Sequence, residues 1–113
     1  MDEQLRDLEN KIGKVPKIFQ ELKQTAPDMY EKVKGIDEMV WAEGALSRKT
    51  KKVIAIAIAG ALRDGHAVRA QMAGAKNLGL TKEEIEEGLR VAFLLAGMPA
   101  YVYGKAALEE IFP

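Results

Sequence analysis

One histidine, no cysteine and a run of basic and amide side chains bound the chemistry open to this chain of 113 residues. Histidine is the side chain that most readily exchanges a proton near neutral pH, and His66 is the sole one here. Without cysteine there is no disulfide, thiolate metal site or thiol nucleophile. Zinc or copper sites of ordinary composition are excluded too. A carboxylate-only site for magnesium or calcium is conceivable from the glutamate cluster at residues 83–87, but no metal and no cofactor are expected. Nor is there a phosphate loop, because Gly13, Gly35 and Gly44 stand alone and none precedes a Lys-Ser/Thr pair. Glu83, Glu84, Glu86 and Glu87 sit at a helix start and read as a solvated face that favours the positive helix end.

The informative stretch runs from Ser47 through Lys52, then Arg63-Asp64-Gly65-His66-Ala67, then Arg69 and Gln71. If the break at Asp64-Gly65 folds two helices antiparallel, Lys52 and Gln71 come alongside each other. His66 and Ala67 then lie at the start of the second helix, where unpaired N–H groups and the positive dipole favour an anion. Such an arrangement is a sensible place for a reactive centre that does acid–base work. His66 would act as acid or base, and Lys52, Arg63 or Arg69 would be the electrostatic sink. Plainer roles are open to the same residues. His66 could cap its helix, and Lys52 could pair with Asp64, which is the favoured reading of those two. Gln71 can hydrogen-bond but cannot exchange a proton near neutral pH. Tyr101 and Tyr103 read as half-buried helix residues, and Met29, Met39, Met72 and Met98 as core or subunit contacts.

The elements that must position these residues are all helical. Leu5, Leu8 and Ile12 repeat at helical spacing, and Gly13 can close that helix. Pro16 opens a short second helix carrying Ile18, Phe19 and Leu22. Thr25-Ala-Pro27-Asp28 reads as a third start with Thr25 as the capping hydroxyl, and Met29, Val33, Ile36 and Val40 form its apolar stripe. Residues 42–46 make a loop and Ser47 caps the next helix. Ile54-Ala-Ile56-Ala-Ile58-Ala alternates as a strand would, but alanine favours helix, and the run from Arg48 to Arg63 exceeds an ordinary strand. It is expected to be a buried helix. A fifth helix covers His66 to Leu78. Thr81 and Glu84 then form a capping box for a sixth, which turns Ile85, Leu89, Ala92, Phe93 and Ala96 inward. Gly97-Met98-Pro99 divides it from a last helix ending near Ile111. The expectation is a single all-α domain over 1–113, about seven short helices with a central antiparallel hairpin. Residues 1–45 supply N-terminal helices and 46–113 the core.

Composition narrows the partners. Seventeen Lys and Arg balance seventeen Asp and Glu, so no net field attracts a nucleic acid. The longest apolar run, about ten residues, is half of what a membrane span needs. The N-terminus lacks a signal-peptide pattern. A cytoplasmic, cysteine-free protein is expected.

Three elements in order carry a family likeness: Lys-Thr-Lys-Lys-Val-Ile-Ala at the start of the hairpin, Ala75-Lys-Asn-Leu-Gly79-Leu-Thr-Lys-Glu-Glu-Ile85, and Ala96-Gly-Met-Pro-Ala100. From about Leu46 to Ile111 the chain resembles the carboxymuconolactone decarboxylase family, which includes the alkylhydroperoxidase-D-like proteins. The resemblance implies that helical fold and homo-oligomers built from dimers, hexamers among them. It also implies where the redox members keep a Glu, two Cys and a His, and those positions here hold Lys52, Asp64, Ala67 and Gln71. Thiol peroxidase activity is therefore not expected. The non-redox decarboxylases keep a His where this chain has Gln71, while His66 stands where some thiol members place a His. Two readings follow. One is an oligomeric scaffold or small-ligand binder; the other is a carboxy-lyase-like or lactone enzyme using His66.

Overall fold

In a computed structural model the described residues are 13–113, and they form six helices: α1 (Val15–Thr25), α2 (Pro27–Trp41), α3 (Arg48–Ala61), α4 (Gly65–Asn77), α5 (Lys82–Ala96) and α6 (Met98–Ile111). The first expected helix, through Leu5, Leu8 and Ile12, lies outside the described residues. No described helix is long and apolar enough to cross a membrane.

Local chemistry sets the helix ends. Ser47 accepts from the Thr50 N–H at 3.1 Å and starts α3. Thr81 accepts from the Glu84 N–H at 3.1 Å while the Glu84 carboxylate accepts from the Thr81 N–H at 2.9 Å, completing the expected capping box of α5. Thr25 does not cap α2 as expected. It is the last residue of α1 and its hydroxyl donates back to the Glu21 carbonyl at 3.0 Å. Only Ala26 separates the two helices, and Pro27 behind it holds Ala26 out of the helical region. The break between α3 and α4 also falls earlier than Asp64-Gly65. Arg63 takes the left-handed conformation at φ 57°. Its N–H reaches the Gly60 carbonyl and that of Asp64 the Ala59 carbonyl, closing α3 as a Schellman turn. Gly65 is already the first residue of α4.

The core lies where α3, α4, α5 and α6 meet. Ile56, Val68, Met72, Ile85, Leu89 and Leu108 are fully buried there, each supplying roughly 1.5–3 kcal/mol of burial. Gly60 lets α3 and α6 approach closely, since a Cβ there would stand 3.1 Å from the Ala100 carbonyl oxygen. This packing holds α3 and α4 rigidly side by side, which places Lys52 opposite Gln71.

Outside this core the apolar pattern turns to the surface. On α2 no residue is fully buried; Met29, Ile36 and Val40 of the expected stripe are exposed and Val33 is half-buried. On α3, Ile56 faces the core while Ile54 and Ile58 are exposed, so the helix is half-buried, not buried all round. Phe93 on α5 is exposed as well, although Ile85, Leu89 and Ala92 turn inward. Of the four methionines singled out, Met72 is core and Met29, Met39 and Met98 are exposed.

Candidate functional site

Lys52 projects from the second turn of α3 and Gln71 from the middle of α4. The Lys52 Nζ donates to Gln71 Oε1 at 2.7 Å across the hairpin. Below the same ammonium lies the Trp41 ring, with its centroid 3.9 Å away, a close cation–π contact. The indole N–H of Trp41 donates to Asp37 Oδ1 one turn back on α2 at 2.9 Å. Gly74 leaves room for the lysine stem, because a Cβ there would stand 3.0 Å from Nζ.

The end of α2 is tied down to present that ring. The Arg48 Nε–H donates to the Trp41 carbonyl at 3.2 Å, and the Lys51 ammonium donates to the Val40 carbonyl at 2.9 Å and to that of Ala42. Two cations from the first turn of α3 thus satisfy carbonyls that a helix C-terminus leaves unpaired. Lys52 itself is half-buried. That burial pushes its pKa below the ordinary value of 10.5, and the negative charge of Asp37 opposes the shift. Among the described residues its direct polar partner is a neutral amide. No described carboxylate is in contact with it to match its charge.

His66 stands elsewhere. It is exposed, and its Nδ1 accepts the Lys14 backbone N–H at 3.2 Å. Gly13 lies directly on the His66 backbone; a Cβ on Gly13 would come within 2.6 Å of the His66 carbonyl oxygen, and φ there is +79°. His66 thus holds the segment entering α1 against the start of α4. The Asp64 carboxylate accepts from the Ala67 N–H at 3.0 Å. The favoured Lys52–Asp64 ion pair is not formed, because Lys52 lies near the start of α3 and Asp64 beyond its end, about 14 Å of helix away or more. Asp64 caps its own helix and Lys52 bonds Gln71. The anion at the N-terminus of α4 is the chain's own.

The two arginines also have fixed surroundings. Arg63 forms the left-handed end of α3 and is exposed. Arg69 pairs with Glu110 at 3.1 Å and donates to the Gly65 carbonyl at 3.2 Å. Beside Arg69, a shallow cleft of about 220 Å³ is lined by Gly65, Val102, Tyr103 and Ala106. Among the described residues no group of three or more His, Cys, Asp or Glu is arranged to hold a metal ion.

A second polar cluster went unread in the sequence. Glu86 leaves the solvated face assigned to it and turns between α5 and α6, its side chain only 14% exposed. It accepts from the Tyr101 hydroxyl at 2.9 Å, from Arg90 at 3.0 Å and from the Lys105 ammonium. The Lys105 contact, followed by Tyr101, holds the Glu86 carboxyl below the usual carboxylate range; the same carboxylate raises Tyr101 and Lys105. The available signal was Tyr101 and Lys105 four residues apart on one helix face. Trp41 and Asp37 carry the same spacing on α2.

The sequence model of the carboxymuconolactone decarboxylase family matches residues 27–110. The chain belongs to that family. A protein of uncharacterised role from Methanocaldococcus jannaschii is 40% identical over 91 residues, covering 80% of this chain and 88% of that protein. The 4-carboxymuconolactone decarboxylase of Acinetobacter baylyi is 33% identical over 73 residues, 65% of this chain and 54% of the enzyme. Among solved structures, a carboxymuconolactone decarboxylase family protein from Legionella pneumophila superimposes with a TM-score of 0.84 at 24% identity, covering 94% of this chain and 95% of that one. Family and fold are thus fixed. The Lys52–Gln71 bridge joins the two residues that the sequence sets side by side across the hairpin.

Proposed function

We propose that this protein is a non-redox member of its family, an oligomer built from dimers, up to a hexamer, that binds a small carboxylate or lactone at Lys52. The single observation carrying this reading is the state of the Lys52 ammonium. It is half-buried on the Trp41 face, with a neutral amide as its direct polar partner. A cation so placed gains from a carboxylate that approaches it, because attraction in a partly dry site is stronger than in water. Exposed apolar side chains on α2, α3 and α5 support the oligomer.

The alternative, acid–base catalysis by His66, finds less support. Its Nδ1 is engaged by a backbone amide, and among the described residues no charged side chain is a hydrogen-bond partner. Peroxide reduction has no thiol to begin it. In this proposal the protein works in the cytoplasm, which fractionation of the source cells would check.

Trp41 is the sole tryptophan, so its fluorescence reports directly on the site. Titration with a panel of small carboxylates and lactones should change that fluorescence and raise the unfolding temperature in the wild type. Lys52→Met should abolish both responses and His66→Ala should keep both. A response that survives Lys52→Met but disappears in His66→Ala would reverse the assignment.

A further inference from the structure

The faces of α3 and α5 that turn away from the core carry no charge over more than two turns: Val53 to Leu62 on one, Val91 to Met98 on the other. Between them runs a groove floored by Ala57, Ala61, Ala92 and Ala96, with Ile58, Val91 and Leu95 on its walls. Its Leu95 wall, 83% exposed, and the adjoining Leu94, 77% exposed, form a ridge of the most exposed large apolar side chains of the described chain, with Leu62 close behind. A soluble chain seldom leaves so continuous an apolar patch open to water.

We infer that this α3–α5 face is the surface through which two copies of the chain associate, with the Leu94–Leu95 ridge of each copy seated against the alanine-floored groove of the other. The inference rests on the oligomer reading above and adds the surface. Three features of the face favour a second copy as occupant. It carries a groove and a ridge side by side, so a two-fold rotation sets each against its complement. The chain has no net charge to repel its copy, and charged residues are absent from the centre of the face, as in the buried part of an interface. Its size also fits. Ile54, Ile58, Leu62, Val91, Leu94 and Leu95, at roughly 100 Å² each when covered, approach the ~800 Å² per partner of a standard interface once the alanines are added.

Light scattering coupled to size exclusion, on the full chain at several concentrations, tests this. The wild type is expected as a dimer or a multiple of one. Leu95→Glu places a charge at the centre of the face in both copies and should weaken that association on the order of 100-fold, halving the mass at moderate concentration. Met39→Glu, on the exposed face of α2, should leave the pair formed through α3–α5 intact. Leu95 lies outside the core, and circular dichroism of the variant should match the wild type; Leu94→Asp gives a second, independent probe. A wild type that is monomeric throughout overturns both the surface and the oligomer reading. An oligomer whose mass is unchanged in Leu95→Glu and Leu94→Asp overturns the surface alone. Hydrogen exchange then separates a last case. A monomer whose groove amides lose protection only on deletion of residues 1–12 would show the chain's own N-terminus there, and that too overturns the inference.

Discussion

Lys52 Nζ and Gln71 Oε1 stand 2.7 Å apart, one from each helix of the central hairpin, with the Trp41 ring beneath the ammonium. A lysine in that place meets an amide where a carboxylate would neutralise it, and its burial depresses its pKa from 10.5. Gln71→Glu supplies the missing charge at the same distance. The Lys52 titration should then move up, read from the Cε resonances of labelled lysine. The linkage has a definite sign. In the wild type the folded state releases its Lys52 proton before the unfolded state does, so this group makes stability rise with pH from the folded value up to 10.5. Gln71→Glu and Lys52→Met should both remove that rise, and chemical denaturation at a series of alkaline pH values would measure it.

The Glu86 cluster acts on both limbs of the same stability curve. Its carboxyl is held below 4.5, chiefly by Lys105 and then Tyr101. It therefore contributes stability that is full above about 4.5 and is lost as pH falls through the folded value. Tyr101 and Lys105 are raised above 10.0 and 10.5. Their contributions are full below those values and fade as pH rises through the folded ones, opposite in sign to Lys52. Glu86→Gln should flatten the acid limb and lower the unfolding temperature at neutral pH. An acid limb as steep as the wild type's would show that other carboxylates carry it.

Much of the fold is legible in the sequence because its punctuation is local. Ser47, Thr81 with Glu84, Gly79 and Pro99 each act within a turn of their own position, and all stand where the pattern puts them. The hairpin register that brings Lys52 to Gln71 follows from the same marks. What the sequence conceals depends on distant partners. Lys52 and Asp64 have opposite charges but stand at opposite ends of α3; a capping bond three residues away holds Asp64, and a neighbouring helix supplies Trp41 to Lys52. Apolar periodicity likewise marks a face without saying what covers it, so the stripe of α2 and the outer side of α3 look like core in one dimension and are surface in the chain itself.

The contact between Gly13 and His66 gives a prediction that separates backbone from side chain. Gly13→Ala places a Cβ against the His66 carbonyl at a positive φ and should cost at least ~2 kcal/mol. His66→Ala removes an exposed hydrogen bond from the Lys14 N–H and should cost only about 0.5–1.5 kcal/mol. Both changes loosen the same segment, so the double variant should cost little more than Gly13→Ala alone. Urea unfolding of the four proteins measures the coupling, and full additivity would mean that the two contacts act independently.

Arg63 offers a gain in stability. It adopts φ 57° at the end of α3, where the equivalent position after α4 is Gly79 at φ 81°. The two turns close alike: Asp64 N–H to Ala59 and Arg63 N–H to Gly60 in one, Leu80 N–H to Ala75 and Gly79 N–H to Lys76 in the other. A side chain in this region is strained by about 1–2 kcal/mol, partly offset by the greater unfolded-state freedom of glycine. Arg63→Gly should therefore stabilise the fold by up to ~1 kcal/mol and raise the unfolding temperature by a few degrees. The reverse change, Gly79→Ala, should lower it. Because Arg63 was one of the cations that could serve an anion, the same variant also tests the ligand assignment: carboxylate binding read at Trp41 should be unchanged in Arg63→Gly if Lys52 is the anchor. A variant that is more stable yet no longer binds would move the anchor to Arg63.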